Sequence, residues 1–285
     1  MRTVIQLSFI ITFLVITVIS AQAALDPNLM LYFKFDEQLD GRVIEDMTGG
    51  GHNGKLKFGA KITNEPEEVY RGAGALKIFN NISAQFRVDA FKRMDTYKDH
   101  TYTFQLYIFG PTQKPWGNGL VKIPHRASLL EKGRDLNLAG AFKGHAPAMF
   151  IREAPLALIY FYEGGQGNQG VLGPESVGPG GKGTGFEPKT WYHIAGVKQG
   201  TDLTVYINGK EIGIFAVPIA FVQGEGHLRV GATDIRSASF AMDEFQLYDR
   251  PLTAEEVALD AQGKLLSVEP QAKLTTTWGR LKTSR

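Results

Sequence analysis

The sequence predicts an all-β fold, a sandwich or barrel of many short strands. Short apolar or alternating runs follow one another along the chain, Gly, Pro and Asn stand between them, and a single segment carries helix start and stop signals. In chain order the runs cover residues 29–35, 55–58, 75–79, 101–109, 136–142, 154–162, 191–197, 203–207, 213–217, 227–230 and 239–248.

Several runs carry more detail. In 101–109, Tyr102, Phe104, Leu106 and Ile108 share one face, with Thr101, Thr103, Gln105 and Tyr107 on the other. Leu203 to Ile207 is rich in β-branched and aromatic residues and runs into Asn208-Gly209, the pair that best accepts positive φ at both centres of a type I′ turn. Strict alternation in the last run places Asp243, Phe245 and Leu247 on one face and Glu244, Gln246 and Tyr248 on the other, so a carboxylate is expected toward the apolar side. The helix starts at Thr253-Ala-Glu-Glu256, a capping box just after Pro251, and Gly263 ends it. Two segments lack strand character: residues 163–185, too rich in Gly to form a packed element, and the tail from Lys264.

Composition sets further bounds. Arg2, the apolar stretch Val4 to Ile19 and the small-x-small motif Ala21-Gln22-Ala23 read as a signal peptide cleaved after Ala23, and the apolar stretch is shorter than the roughly 20 residues of a spanning helix. No transmembrane anchor is expected after cleavage. The chain has no Cys, which excludes a lipid anchor on sulfur, thiolate metal sites and Cys nucleophiles; it is long enough to bury a core without disulfides. The formal net charge is +2, concentrated in the tail at 264–285, so the body is slightly acidic and shows no footprint for nucleic acid. The expected organisation is signal peptide 1–23, one domain 24–263 and a basic tail 264–285.

Motifs for common chemistries fail on inspection. Gly165 to Gly170 spells GxGxxG, but no helical pattern follows to meet a pyrophosphate. Gly49 to Leu56 has Leu where a phosphate loop needs a hydroxyl. The six histidines show no metal spacing, and no Ser or Cys motif stands near His193, for which a packed or hydrogen-bonded role is expected.

Taken together, W-Y-H-I-A-G-V from Trp191, L-x-V-Y-I-N-G-K from Leu203 and M-D-E-F-Q-L-Y-D-R-P-L-T-A-E-E from Met242 resemble the laminin-G-like, concanavalin A-like jelly-roll domains of secreted bacterial proteins. The resemblance extends over nearly all of the chain after residue 23, more loosely at its start. It implies a two-sheet antiparallel jelly-roll sandwich with one short C-terminal helix, in a secreted or bacterial-envelope setting (periplasmic or extracellular). It also implies a structural Ca²⁺ between the first strand region and the last strand, for which Asp243, with Asp36 and Asn53 as partners, is the candidate set. A main-chain-bonded Asp243 at the sheet rim is the equal alternative. Glucanases of this fold carry E-x-D-x-E, with two carboxyl groups flanking the scissile bond; that spacing is missing here.

Aromatic rings that stack on pyranose faces are the remaining lead. Trp116, in PTQKPWGNG, and Tyr160 and Tyr162, leading into the Gly-rich segment, are the candidate ligand-binding residues. The expected function is a non-catalytic binding module for a glycan or an extracellular protein. The alternatives are a carbohydrate-active enzyme using Glu153 and Glu163, or a purely structural envelope or adhesion protein.

Overall fold

A computed structural model describes residues 25–37, 40–96, 98–111, 113–116, 119–122, 126–132, 147–153, 155–163, 170–172, 177–216, 226–233 and 236–266. The expected cleavage site, the run at 136–142 and the tail beyond 266 lie outside them. The described residues belong to one compact unit, Leu25–Ser267.

The strands are β1 (Leu29–Phe33), β2 (Val43–Ile44), β3 (Gly54–Lys57), β4 (Lys61–Thr63), β5 (Ala75–Ile78), β6 (Gln85–Val88) and β7 (His100–Gly110). They continue as β8 (Gln113–Trp116), β9 (Gly119–Lys122), β10 (Arg126–Lys132), β11 (Ala148–Glu153), β12 (Leu156–Glu163), β13 (Gly170–Leu172), β14 (Val177–Gly178) and β15 (Gly181–Lys182). The last five are β16 (Trp191–Gln199), β17 (Asp202–Ile207), β18 (Lys210–Ala216), β19 (Leu228–Gly231) and β20 (Ser239–Tyr248). Besides α2 (Ala254–Ala261), there are a one-turn helix α1 (Lys92–Thr96) and a 3₁₀ turn at Pro66–Glu68, neither of which has a periodic apolar signature.

Two antiparallel sheets make the sandwich. One runs β18-β17-β16-β7-β20-β5-β4, with β1 also on β20; the other runs β15-β14-β12-β11-β10-β19-β6-β3-β2, with β13 also on β12. Their inner faces enclose one core, built by Phe33, Phe86, Phe104, Leu106, Ile194, Val205, Phe240 and Phe245 among others. The period of two read in β7 is observed: Tyr102, Phe104, Leu106 and Ile108 all join this core. The first sheet is buried on its outer face as well, where Tyr32, Ala195, Val197, Tyr206 and Tyr248 pack with Leu252 and Val257 of the α2 segment.

The local signals resolve as expected at two places. Asn208 and Gly209 have φ of 53° and 74°, closing a two-residue hairpin between β17 and β18. In α2 the Thr253 side chain accepts from the Glu256 amide while the Glu256 carboxylate accepts from the Thr253 amide, and Gly263, at φ 66°, ends the helix.

Two readings are corrected. The 163–185 segment contributes β13 to β15, because edge pairing needs only backbone groups, which glycine supplies. In β20 the alternation slips: Phe240 and Met242 face the core before the slip, Phe245 and Leu247 after it. The cause is a bulge between Asp243 and Gln246 opposite β7, with Glu244 at φ 51°. Asp243 therefore does not share the core face of Phe245 and Leu247.

Candidate functional site

A pocket of about 290 Å³ opens on the outer face of the first sheet, lined by Tyr70, Gln105, Trp191, His193, Asn208, Gly209, Ala258, Ala261 and Gln262. Strand geometry builds its floor. Tyr192 and Ile194 point into the core, so Trp191 and His193 point outward, and Gln105 of β7, paired with His193, does the same. The hairpin forms a rim, where the Asn208 side-chain oxygen accepts the His193 amide at 2.9 Å. Helix α2 closes one side; a Cβ at Gly209 would lie 3.2 Å from Ala258 Cα, so glycine also permits the close approach of hairpin and helix.

Buried polar groups pin α2 in place. Asp260 accepts from Thr103 Oγ1 and, at 3.0 Å, from Gln246 Nε2, while His193 Nε2 lies 2.9 Å from Asp260 and 2.8 Å from Thr103 Oγ1. Thr103 has one hydroxyl proton, and Asp260 takes it. The contact to His193 therefore requires a hydrogen on Nε2, and in the neutral ring this leaves Nδ1 as an acceptor. Nδ1 is buried and has no hydrogen-bond partner among the described residues.

The opposite wall is Tyr70 against Trp191, ring centroids 5.7 Å apart. Trp191 is held by its indole N–H, which donates to the Glu67 carbonyl at 3.2 Å, and by Tyr107 at 5.3 Å. Tyr70 is held by Asp243, whose Oδ2 accepts the Tyr70 and Arg71 amides at 3.2 and 3.0 Å while Oδ1 accepts the Glu244 amide at 2.8 Å. Burial pushes the Asp243 carboxyl up to about 8, against the pull of those three amides. Glu244 is likewise raised, chiefly by burial, and accepts the Tyr32 hydroxyl at 2.6 Å.

The proposed calcium ligands each accept main-chain amides. Asp36 Oδ1 accepts the Ala73 and Gly74 amides at 2.5 and 3.3 Å, so Asp36 and Asp243 together clamp the 70–74 turn. Asn53 accepts the Asp46 amide at 3.0 Å, in the loop between β2 and β3. Among the described residues no group of three His, Cys, Asp or Glu is placed to hold a metal ion. Carboxylate oxygens that accept main-chain N–H groups suit a main-chain clamp, the alternative that the sequence left equal to a cation site.

The aromatic candidates are redistributed. Tyr160 lies fully buried in the core, its ring 3.1 to 3.4 Å from where a Cβ on Gly196 would stand, so it is a packing residue and not a ligand platform. The chain at Trp116 is in β8, paired with β9 and not in a loop; the side chains of Trp116, Tyr162, Glu153 and Glu163 lie outside those described. Tyr70, Trp191, Asn208 and Gln262 were not singled out from the sequence as ligand contacts. The alternation Trp191-Tyr192-His193 already placed Trp191 and His193 on one face, but nothing local showed that α2 and Tyr70 would wall it.

This architecture is a two-sheet antiparallel jelly-roll sandwich with a pocket under its C-terminal helix. Residues 159–258 match the family model of the concanavalin A-like lectin/glucanases superfamily, a span that holds Trp191, His193, Asn208 and Ala258 but neither Tyr70 nor Gln262. The fold is similar to the binding domain of Paraclostridial Mosquitocidal Protein 1 (16% identity, TM-score 0.59, covering 83% of this chain and 52% of that one). It is also similar to the botulinum neurotoxin serotype D binding domain (11% identity, TM-score 0.59, 83% and 52%) and to Trypanosoma rangeli sialidase in complex with sialic acid (12% identity, TM-score 0.56, 86% and 35%). The chain thus spans about half or less of these proteins, and at such identities the likeness is one of fold. A search of curated proteins finds no match.

Proposed function

We propose that this chain is a non-catalytic binding module and that the pocket under α2 takes a neutral sugar residue of an extracellular glycan. The carrying observation is the lining: aromatic rings, amides and one imidazole, with no charged side chain. Ring faces suit the C–H face of a pyranose, and the side-chain amides of Gln105, Asn208 and Gln262 suit its hydroxyls. A volume of about 290 Å³ suits one sugar ring more than a polypeptide segment. Glycoside hydrolysis needs two carboxyl groups about 5 Å or more apart across the scissile bond, and the lining offers none. Neighbours described as binding domains accord with this reading, as does the export expected from the N-terminal segment. Among the described residues no helix is long and apolar enough to cross a membrane.

The test is a glycan array read with wild type, Trp191→Ala, Tyr70→Ala and Trp116→Ala. Binding that falls about tenfold or more in the first two variants and survives in the third supports the pocket. Binding lost only in Trp116→Ala moves the site to β8; reducing sugar released from a bound polysaccharide overturns the non-catalytic reading.

A further inference from the structure

A second concavity, about 760 Å³, lies where the two sheets meet at one side of the sandwich, with Arg42, Val43, Lys57, Phe58 and Lys61 in its lining. It runs between β2 and β4, the terminal strands of the two described sheet paths, across the turn joining β3 to β4. Lysines on edge strands commonly serve only to deter pairing with another chain. Three features exceed that role here. First, Arg42, Lys57 and Lys61 have no side-chain ion pair or hydrogen bond among the described residues, whereas the neighbouring Lys55 is paired with Asp89 at 2.9 Å. Second, Phe58 is 66% exposed and Val43 53% exposed, apolar groups that edge protection would leave out. Third, Phe58 is held outward at φ 54°, a conformation bulky residues rarely adopt, by Asn81 Nδ2 donating to its carbonyl at 2.8 Å. A Cβ on the following Gly59 would stand 2.4 Å from that same amide, so the turn is shaped around Asn81.

From this juxtaposition of unpaired cations and an outward phenyl ring in one groove, we propose that the β2–β4 edge groove binds an anionic polysaccharide chain. The phenyl face stacks on a sugar ring, Arg42 and the lysines meet carboxylates or sulfates on neighbouring rings, and Asp40 sets a local limit on negative charge. A groove favours a chain over a flat bilayer, on which only its rim would rest. The proposal uses none of the residues of the pocket under α2 and stands or falls separately from it.

Affinity electrophoresis of the full chain in gels holding polygalacturonate, dextran sulfate or uncharged dextran tests it, with sedimentation on phosphatidylserine vesicles in parallel. Retardation that depends on Arg42, Lys57 and Lys61 is expected with the two anionic polymers and not with dextran; which of the two is preferred distinguishes carboxylate from sulfate. The triple variant Arg42→Ala/Lys57→Ala/Lys61→Ala should weaken binding about tenfold or more, and Phe58→Ala should weaken it several-fold even in high salt, where charge alone is screened. Trp191→Ala should leave it unchanged. Equal retardation of the triple variant, retardation by uncharged dextran that the triple variant abolishes, or vesicle binding without polysaccharide binding would overturn the proposal; so would the absence of retardation in every gel.

Discussion

Asp260 of α2 and His193 of β16 meet through Oδ2 and Nε2 at 2.9 Å, both buried, and this contact joins the helix that walls the pocket to the strand that floors it. The same carboxylate accepts from Thr103 and Gln246, so one side chain holds three strands against the helix.

Removing that carboxylate leaves the buried Thr103 hydroxyl and Gln246 amide without their acceptor and takes one of two acceptors from His193 Nε2. Asp260→Ala is expected to destabilise the fold by about 3 kcal/mol or more, since each stranded group costs about 1–3 kcal/mol. Urea unfolding measures it. Asp260→Asn, which keeps one oxygen, should fall between the two; equal stability of wild type and Asp260→Ala would show that the network does not hold the helix.

Asp243 makes stability depend on pH in a defined sense. Its carboxyl is raised to about 8 by burial, so between the usual carboxylate range and about 8 the folded state holds a proton that the unfolded state has lost. Its contribution is fully present below the unfolded value and is lost as pH rises through about 8, at no more than about 1.4 kcal/mol per pH unit. Unfolding free energies from pH 5 to 9 should therefore decline more steeply for wild type than for Asp243→Asn. Parallel curves would place the Asp243 titration in the ordinary range.

Gly209 carries both a turn and a helix contact. Gly209→Ala forces a side chain at φ 74° and sets its Cβ 3.2 Å from Ala258 Cα. A loss of about 1–2 kcal/mol is expected, from the left-handed backbone and from crowding of α2. Thermal melts report the first effect. A chemical-shift change at Ala258 and Ala261 reports the second, and shifts confined to the hairpin would show that the helix is not crowded.

Metal removal separates the clamp from a cation site. With Asp36 and Asp243 filled by main-chain donors, EDTA is expected to leave the unfolding midpoint where it is. A cation binding at 100-fold above its dissociation constant would instead add about 2.7 kcal/mol, and such a rise with Ca²⁺, reversed by chelator, would restore the metal to these residues.

Much of the fold was legible locally. The Asn208-Gly209 turn, the capping box at Thr253 and the two faces of β7 each depend on a few adjacent residues, so their signals survive without knowledge of partners. The slip in β20 was also written in the chain, as apolar residues at 240 and 242 and then at 245 and 247; strict alternation hid the bulge that those positions record. Tyr160 misled because an aromatic in an alternating strand reads the same whether the facing position is solvent or, as here, Gly196 of the other sheet.

The sequence by itself determined β1, β3, β5, β7, β12 and β16 to β20, the hairpin, the capped helix and the lack of common catalytic motifs, because each follows from backbone preference and short-range periodicity. Tertiary structure alone decided that Tyr70, brought in by the Asp243 clamp from 173 residues away, would stand against Trp191. It alone decided that α2 would close over His193. Those juxtapositions arise from long-range sheet pairing and from burial of polar groups that must find partners, and neither is encoded within any one segment.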